Sequence, residues 1–164
     1  MAFEEAKAYL TGKGYGDRIR TFDVSSATVE LAALAVGTEP ARIAKSLTFM
    51  LEDRPVMIVA AGDARVNNSK YKEYFHKKAR MLTKEEVSAF IGHDVGGVCP
   101  FGIKDGVDVY LDISLKRFAK VYPACGSANS AVELTPDELE ALSGCREWID
   151  VCRIPEEPDS SVTE

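Results

Sequence analysis

Apolar and polar positions alternate with two different periods along this chain. The shorter period marks a strand pair: Ser46-Leu-Thr-Phe-Met-Leu51 and Val56-Met-Ile-Val-Ala-Ala61 flank Glu52-Asp53-Arg54-Pro55, whose charged residues suit a hairpin turn. Arg18 to Val24, Val107 to Asp112, Lys120 to Ala124, Ser130 to Leu134 and Glu147 to Val151 are further strand segments. The longer period marks helices. Phe3, Ala6 and Leu10 sit at helical spacing before Gly12 and Gly14, and Thr28 caps a small-residue helix from Val29 to Val36 that Gly37 closes. Glu39-Pro40 opens a helical turn expected to run to Lys45. Tyr71, Tyr74 and Phe75 give the segment 68–78 an apolar stripe opposite a cationic face. Thr83-Lys-Glu-Glu86 and Thr135-Pro-Asp-Glu138 are capping boxes for helices ending at Gly92 and Gly144, and Ser114 to Phe118 is a short helix or turn.

Helices and strands therefore interleave, and the hairpins exclude a purely parallel, doubly wound sheet. No repeat or linker divides the 164 residues, so one domain is expected, large enough to bury a core without staples. Hydrophobic content of 46% and charged content of 28% are ordinary for a soluble protein. No apolar run approaches the roughly 18 residues a membrane span needs, and no signal-peptide pattern opens the chain, so a cytoplasmic location is expected.

The net charge of −6 argues against a broadly basic nucleic-acid surface, but its distribution is uneven. Arg65, Lys70, Lys72, Lys77, Lys78 and Arg80 cluster against Glu73 alone, whereas 155–164 is acidic, proline-containing and expected to be disordered. Lys70, Lys72, Lys77 and Lys78 are candidate phosphate contacts, although a solvated helix face gives the same pattern. Cys99, Cys125, Cys145 and Cys152 form no CxxC pair, and neither His76 nor His93 joins them at ligand spacing. Free thiols, no metal and no cofactor are expected.

The main chemical candidate is Val95-Gly96-Gly97-Val98-Cys99-Pro100-Phe101-Gly102. Glycine lets a ligand approach the main chain and proline stiffens it, so backbone N–H groups here could meet a carbonyl or a developing oxyanion. An ordinary Gly-Pro turn would read the same way, but neither phosphate-loop glycine spacing is present. A Cys99 or Cys125 nucleophile would need an activating histidine or helix N-terminus that the sequence does not assign.

Ala44-Lys45-Ser46-Leu47-Thr48-Phe49, Ala60-Ala61-Gly62-Asp63, the glycine loop, and Cys125-Gly126-Ser127 before Glu133-Leu134 occur in this order. Together with Thr28, Ala32-Ala33 and Gly37 they resemble the YbaK/EbsC family, which is related to the editing insertion of bacterial prolyl-tRNA synthetases. The likeness spans roughly residues 20–151. It implies an α/β domain of α+β type over 1–154, with a curved, partly barrel-like mixed sheet surrounded by helices. It also implies hydrolysis of the ester joining a wrong amino acid to a tRNA, with aminoacyl-tRNA as substrate and prolyl-tRNA synthetase as a candidate partner. In that frame Lys45 is the catalytic cation. Thr28, Asp63, Gly96, Gly97, Val98, Cys99, Pro100, Gly102, Gly126 and Ser127 are the substrate-binding candidates. Many Cys-tRNA(Pro) deacylases of the family carry an acidic residue where this chain has Ala131, which opens the choice between cysteine, alanine and other small amino acids. A non-catalytic tRNA-binding module of the same fold is the alternative, and the oligomeric state stays open.

Overall fold

The structure, a computed structural model, describes residues 2–155; the remainder of the expected acidic tail, 156–164, lies outside them. Its centre is strand β3 (Arg54–Ala61), in which Val56 to Ala61 have no exposure at all. Such a continuous apolar run suits a strand covered on both faces. β2 (Ile43–Leu51) pairs antiparallel with β3 around a tight turn at Glu52-Asp53, where Glu52 takes a φ of 58°. β5 (Asp108–Asp112) lies parallel on the other side of β3, β8 (Trp148–Ile149) parallel to β5, and β6 (Tyr122–Pro123) parallel to β2. The mixed five-stranded order is thus β6-β2-β3-β5-β8.

Two small ribbons extend it. β1 (Ile19–Thr21) pairs with β7 (Ser130–Val132), and bridges Val121–Leu134 and Ala124–Ala131 join that ribbon to the β6 edge, so the sheet curls. β4 (Arg65–Val66) pairs with β9 (Cys152–Arg153), a ribbon the sequence pattern does not reveal. Two-residue strands are held by their partners and leave no period to read. The curved mixed sheet and surrounding helices agree with the expected class.

The helices begin and end where the caps predict: α2 (Val29–Val36) at Thr28 and Gly37, α4 (Lys84–Ile91) at Thr83 and Gly92, and α5 (Pro136–Ser143) at Thr135 and Gly144. α1 (Ala2–Gly12) buries Ala6 and Leu10. α3 (Asn68–Phe75) stops three residues short of the expected 78, because His76 turns into the left-handed region and caps it. Its stripe packs an aromatic cluster in which Tyr71 meets Phe49 at 5.1 Å and Phe75 at 4.6 Å between ring centres.

One correction bears on the site. The turn opened by Glu39-Pro40 is a 3-10 helix that ends at Arg42, and Lys45 is the third residue of β2 rather than the end of a helix. Ile43 and Ala44 are extended because Tyr122 and Pro123 pair with them. Local propensity gives way here to a strand partner nearly eighty residues away in the chain.

Candidate active site

A cavity of about 370 Å³ opens beside β2. Ala44 to Thr48 of β2 form one side, Ser26 to Val29 and Ala32 at the start of α2 a second, and Val95, Gly96 and Val98 a third. Tyr122, Ala124, Ser130 and Ala131 close it from the curled edge, and Met81, Leu82 and Val87 complete it. Met81 and Val95 remain more than half exposed, so the rim is apolar. Ala131 is buried in the wall and adds no charge to it.

Lys45 is half-buried at this cavity. Its ammonium donates to the carbonyl of Gly62 at 3.3 Å and to the carbonyl of Ala64, just past the end of β3. An ammonium has three donors, so one remains for a ligand. Burial is the main cause that lowers the Lys45 pKa from the ordinary lysine range, with the Arg65 charge adding to it and Asp63 and Glu30 opposing.

The glycine loop divides in two. Gly96 and Val98 line the cavity, and among the described residues neither of their N–H groups has a hydrogen-bond partner. Gly97 lies behind them: its N–H is bonded to Asp94 O at 3.0 Å, and its carbonyl accepts from Gly126 N–H at 3.1 Å. A Cβ at Gly97 would stand 2.6 Å from the backbone nitrogen of Ser127, so only glycine lets the loop and the 125–129 turn touch. Gly126 and Ser127 therefore brace the wall without lining the cavity. Ser127 Oγ sits 2.6 Å from Ser130 Oγ, which does belong to the lining.

Beyond Val98 the loop turns into the core. Cys99, Pro100 and Phe101 are buried away from the cavity, and Gly102, with φ 64°, packs on the α1 backbone at Glu5. Cys99 does have a histidine beside it, which sequence reasoning missed: His93 Nε2 is 3.5 Å from its sulfur. Spacing of six residues across a loop carried no signal for that contact. The pair is poorly built for nucleophilic chemistry. His93 Nε2 donates to Phe101 O at 2.8 Å, and Cys99 is wholly inaccessible, with burial pushing its thiol far above the ordinary range. Cys125 is also buried, its pKa pushed up to about 12 by burial.

Other sequence candidates are partly committed elsewhere. Thr28 lines the cavity, but its hydroxyl oxygen accepts from Leu31 N–H as the α2 cap. Asp63 lies outside the lining, paired with Arg117. Lys70 is tied to Asp150 and to the Cys152 carbonyl, both at 3.0 Å, and Lys77 to Glu52 at 3.0 Å. Lys72 and Lys78 are exposed and flank a shallow recess with Asn68, Ser69 and Ala79. Ser26, Ser46 and Tyr122 belong to the cavity without having been singled out, since an isolated serine in a loop or strand has no pattern. Among the described residues no helix is long and apolar enough to cross a membrane, and no group of three His, Cys, Asp or Glu side chains is placed to hold a metal ion.

This geometry can be set beside known proteins. A protein of Bacillus subtilis strain 168, the uncharacterized protein YwhH, is 50% identical over 154 residues, covering 93% of this chain and 98% of that one. The proline–tRNA ligase of the same strain is 34% identical over 101 residues, which are 61% of this chain but only 18% of the ligase. A crystal structure described provisionally as that of a trans-editing enzyme for prolyl tRNA synthetase superposes with a TM-score of 0.84 at 30% identity, covering 93% of this chain and 97% of that one. Residues 23–142 match the model of the aminoacyl-tRNA editing domain, so the chain belongs to that family.

Proposed function

We propose that this protein is a free-standing deacylase that hydrolyses mischarged aminoacyl-tRNA, with tRNA(Pro) carrying a small amino acid as substrate. The observation that carries this reading is one cavity lined both by half-buried Lys45 and by Gly96 and Val98, whose N–H groups have no partner among the described residues. The proline–tRNA ligase relative shares 101 residues with this chain, 18% of its own length, and this limited likeness supports an editing role. A synthetase pocket discriminates by only about 1–3 kcal/mol for one methylene, so a second hydrolytic site is required for small amino acids.

The chemistry needs no side-chain nucleophile. An aminoacyl ester is already activated, and a water placed against its carbonyl carbon forms a tetrahedral oxyanion. The idle N–H groups of the loop are suited to that charge. Collapse breaks the bond to the ribose oxygen, which takes up the proton, and leaves free amino acid and tRNA. The third donor of Lys45 holds the terminal phosphate or the ribose end of the ester, fixing the carbonyl against the loop. Lys72 and Lys78 stand as candidates for more distant tRNA phosphates.

A deacylation panel of Cys-, Ala- and Ser-tRNA(Pro) tests this. Release of at least one amino acid well above the uncatalysed rate, and its loss in Lys45→Ala, is the expected result. Binding of all three without turnover would make the protein a binding module.

A further inference from the structure

We infer that Asp63 and Arg117 are positioning residues for the reaction: as a pair they hold the turn whose carbonyls grip Lys45, and so set where its ammonium stands. This deepens the deacylase reading and rests on the role that reading gives to Lys45.

Lys45 reaches past the end of β3 and donates to the carbonyls of Gly62 and Ala64, the two residues that flank Asp63. The place of the ammonium is therefore the place of this turn, which Ala64 N–H closes by donating to Ala61 O at 3.0 Å. Turns beyond a strand end are among the looser parts of a fold unless something ties them down.

This turn is tied from two sides. On one, Gly62 packs so closely that a Cβ would stand 2.0 Å from Pro40 O. On the other, the 3-10 helix Ile113–Arg117 holds it at two points. Ser114 Oγ accepts from Ala61 N–H at 3.1 Å, and the Arg117 guanidinium takes both oxygens of the Asp63 carboxylate, at 2.5 and 3.2 Å. Arg117 is itself oriented, since its Nε donates to Ser114 O at 2.8 Å and its guanidinium lies 4.7 Å from the centre of the Phe118 ring. Ser114 N–H in turn donates to the buried carboxylate of Asp112 at 2.9 Å.

A two-pronged arginine–carboxylate pair fixes direction as well as adding energy. An ion pair placed for stability alone could join any two elements. This one is built on the single residue between the two carbonyls that hold Lys45, and its side chains are only 19% and 26% exposed.

The pair also governs charge. Burial acts most on the Lys45 ammonium, disfavouring it. The titratable groups that face it are Cys152 of β9, kept a neutral thiol by burial, Arg65 of β4, which opposes the ammonium, and Asp63 and Glu30 of α2, which support it. With both oxygens held by Arg117, Asp63 supports the ammonium from a distance and is kept from turning to take the donor that Lys45 has left for substrate.

The test uses whichever of the Cys-, Ala- and Ser-tRNA(Pro) esters the wild type cleaves. It measures kcat and KM against pH in Asp63→Ala, Asp63→Asn and Arg117→Ala, with melting curves confirming that each is folded. The Lys45 ammonium is titrated in parallel by NMR on protein carrying isotope-labelled lysine. Asp63→Ala should lower kcat by about ten- to a hundredfold with a smaller change in KM, because the ester loses its alignment rather than its binding site. Its alkaline limb and its Lys45 titration should both move to lower pH, since a supporting negative charge is gone. Arg117→Ala should lower kcat too, but move both to higher pH, because the released carboxylate then faces the ammonium alone. Asp63→Asn keeps an acceptor for Arg117 without the charge, so it should regain part of the rate and retain the downward shift. Loss of melting temperature with kcat per folded molecule and both titrations unmoved would make the pair a structural tie and overturn the inference. Shifts of the same sign in Asp63→Ala and Arg117→Ala would overturn it as well. A wild type that cleaves none of the three esters would remove the deacylase reading and the role of the pair in it; the NMR titrations need no turnover and keep the two failures apart.

Discussion

The two halves of the glycine loop lie within seven residues of each other and do opposite things. Gly96 and Val98 line the cavity with N–H groups that have no partner among the described residues, and Gly97 braces them from behind, whereas Cys99 to Gly102 turn inward, with His93, Phe101 and α1 packed around an inert thiol. Both halves mix glycine with apolar side chains, Val98 in the first and Cys99, Pro100 and Phe101 in the second. What separates them is the neighbour. The first half meets the 125–129 turn and the open side of β2, and the second meets a helix from the other end of the chain. A reactive side chain placed in the second half is therefore out of reach, and backbone in the first half is the available chemistry.

The largest expected effect tests whether backbone donors need a cation to work. Lys45→Ala removes a charge-assisted contact worth about ten- to a hundredfold in rate, and lost orientation of the ester adds to that. Lys45→Arg keeps the charge but not the reach, and should recover part of the rate. The pH profile gives a second reading. Burial lowers the pKa of Lys45, so its protonated form, and deacylation with it, falls away at a pH below the ordinary lysine value of about 10.4. Stability runs the other way. The unfolded chain holds that proton more tightly, so the contribution of this group to stability rises with pH between its lowered value and about 10.4. Activity that is flat to pH 10.5 and higher, with the enzyme folded and the ester's spontaneous hydrolysis subtracted, would remove Lys45 from the mechanism.

A pair of glycine variants addresses the comparison directly. Gly97→Ala drives a Cβ into the Ser127 backbone, and the wall must spread; deacylation should drop by about tenfold, along with some stability. Gly102→Ala places a Cβ 2.7 Å from the Glu5 backbone at a positive φ, and should cost about 1–3 kcal/mol of stability with little change in rate per folded molecule. Equal rate losses in the two would mean that the loop acts as one unit.

These contrasts show what the sequence made legible. Three of the helices were bounded to the residue by Thr caps and closing glycines, because capping is local chemistry carried by the residues that perform it. The β2–β3 hairpin was legible from its apolar runs. The placement of Lys45 in β2, the β4–β9 ribbon and the His93–Cys99 contact were not, since each depends on a segment distant in the chain or on loop geometry without periodicity. Lys45, Thr28, Gly96 and Val98 were found at the cavity through motif order. The loop motif groups Cys99, Pro100 and Gly102 with them, because it does not say where the chain turns inward.

Cysteine substitution tests the inert half with a smaller effect. Cys99→Ala removes a fully buried sulfur and should cost about 1–2 kcal/mol of stability while keeping most of the deacylase rate. In the folded protein at pH 8, Cys99 and Cys125 should resist alkylation, since both thiols are buried and raised well above that pH, and both should react once denatured. Mass spectrometry reads this out. Rapid labelling of Cys99 in the folded state, with loss of all turnover, would return the thiol to the mechanism.

The smallest effect concerns the surface beyond the cavity, and it turns on which lysines are already occupied. Lys70 is fixed between Asp150 and the Cys152 carbonyl, joining α3 to β9, and Lys77 faces Glu52. Each already faces a carboxylate, which offsets part of its charge before any phosphate arrives. Lys72 and Lys78 are exposed and have no partner among the described residues. If these two meet tRNA phosphates, replacing both by Gln should lower the log–log slope of binding against salt by roughly 1.4–1.8, that is about 0.7–0.9 for each contact. Lys77→Gln should leave the slope nearly as it was, because an exposed pair with Glu52 contributes little either way. Lys70→Gln should show mainly as a small loss of melting temperature, from the loosened α3–β9 contact. A slope that does not move in the double variant would make the cationic side of α3 a solvated face. Substrate recognition would then lie at the cavity and its apolar rim of Met81 and Val95, which would be expected to hold the tRNA end with little dependence on salt.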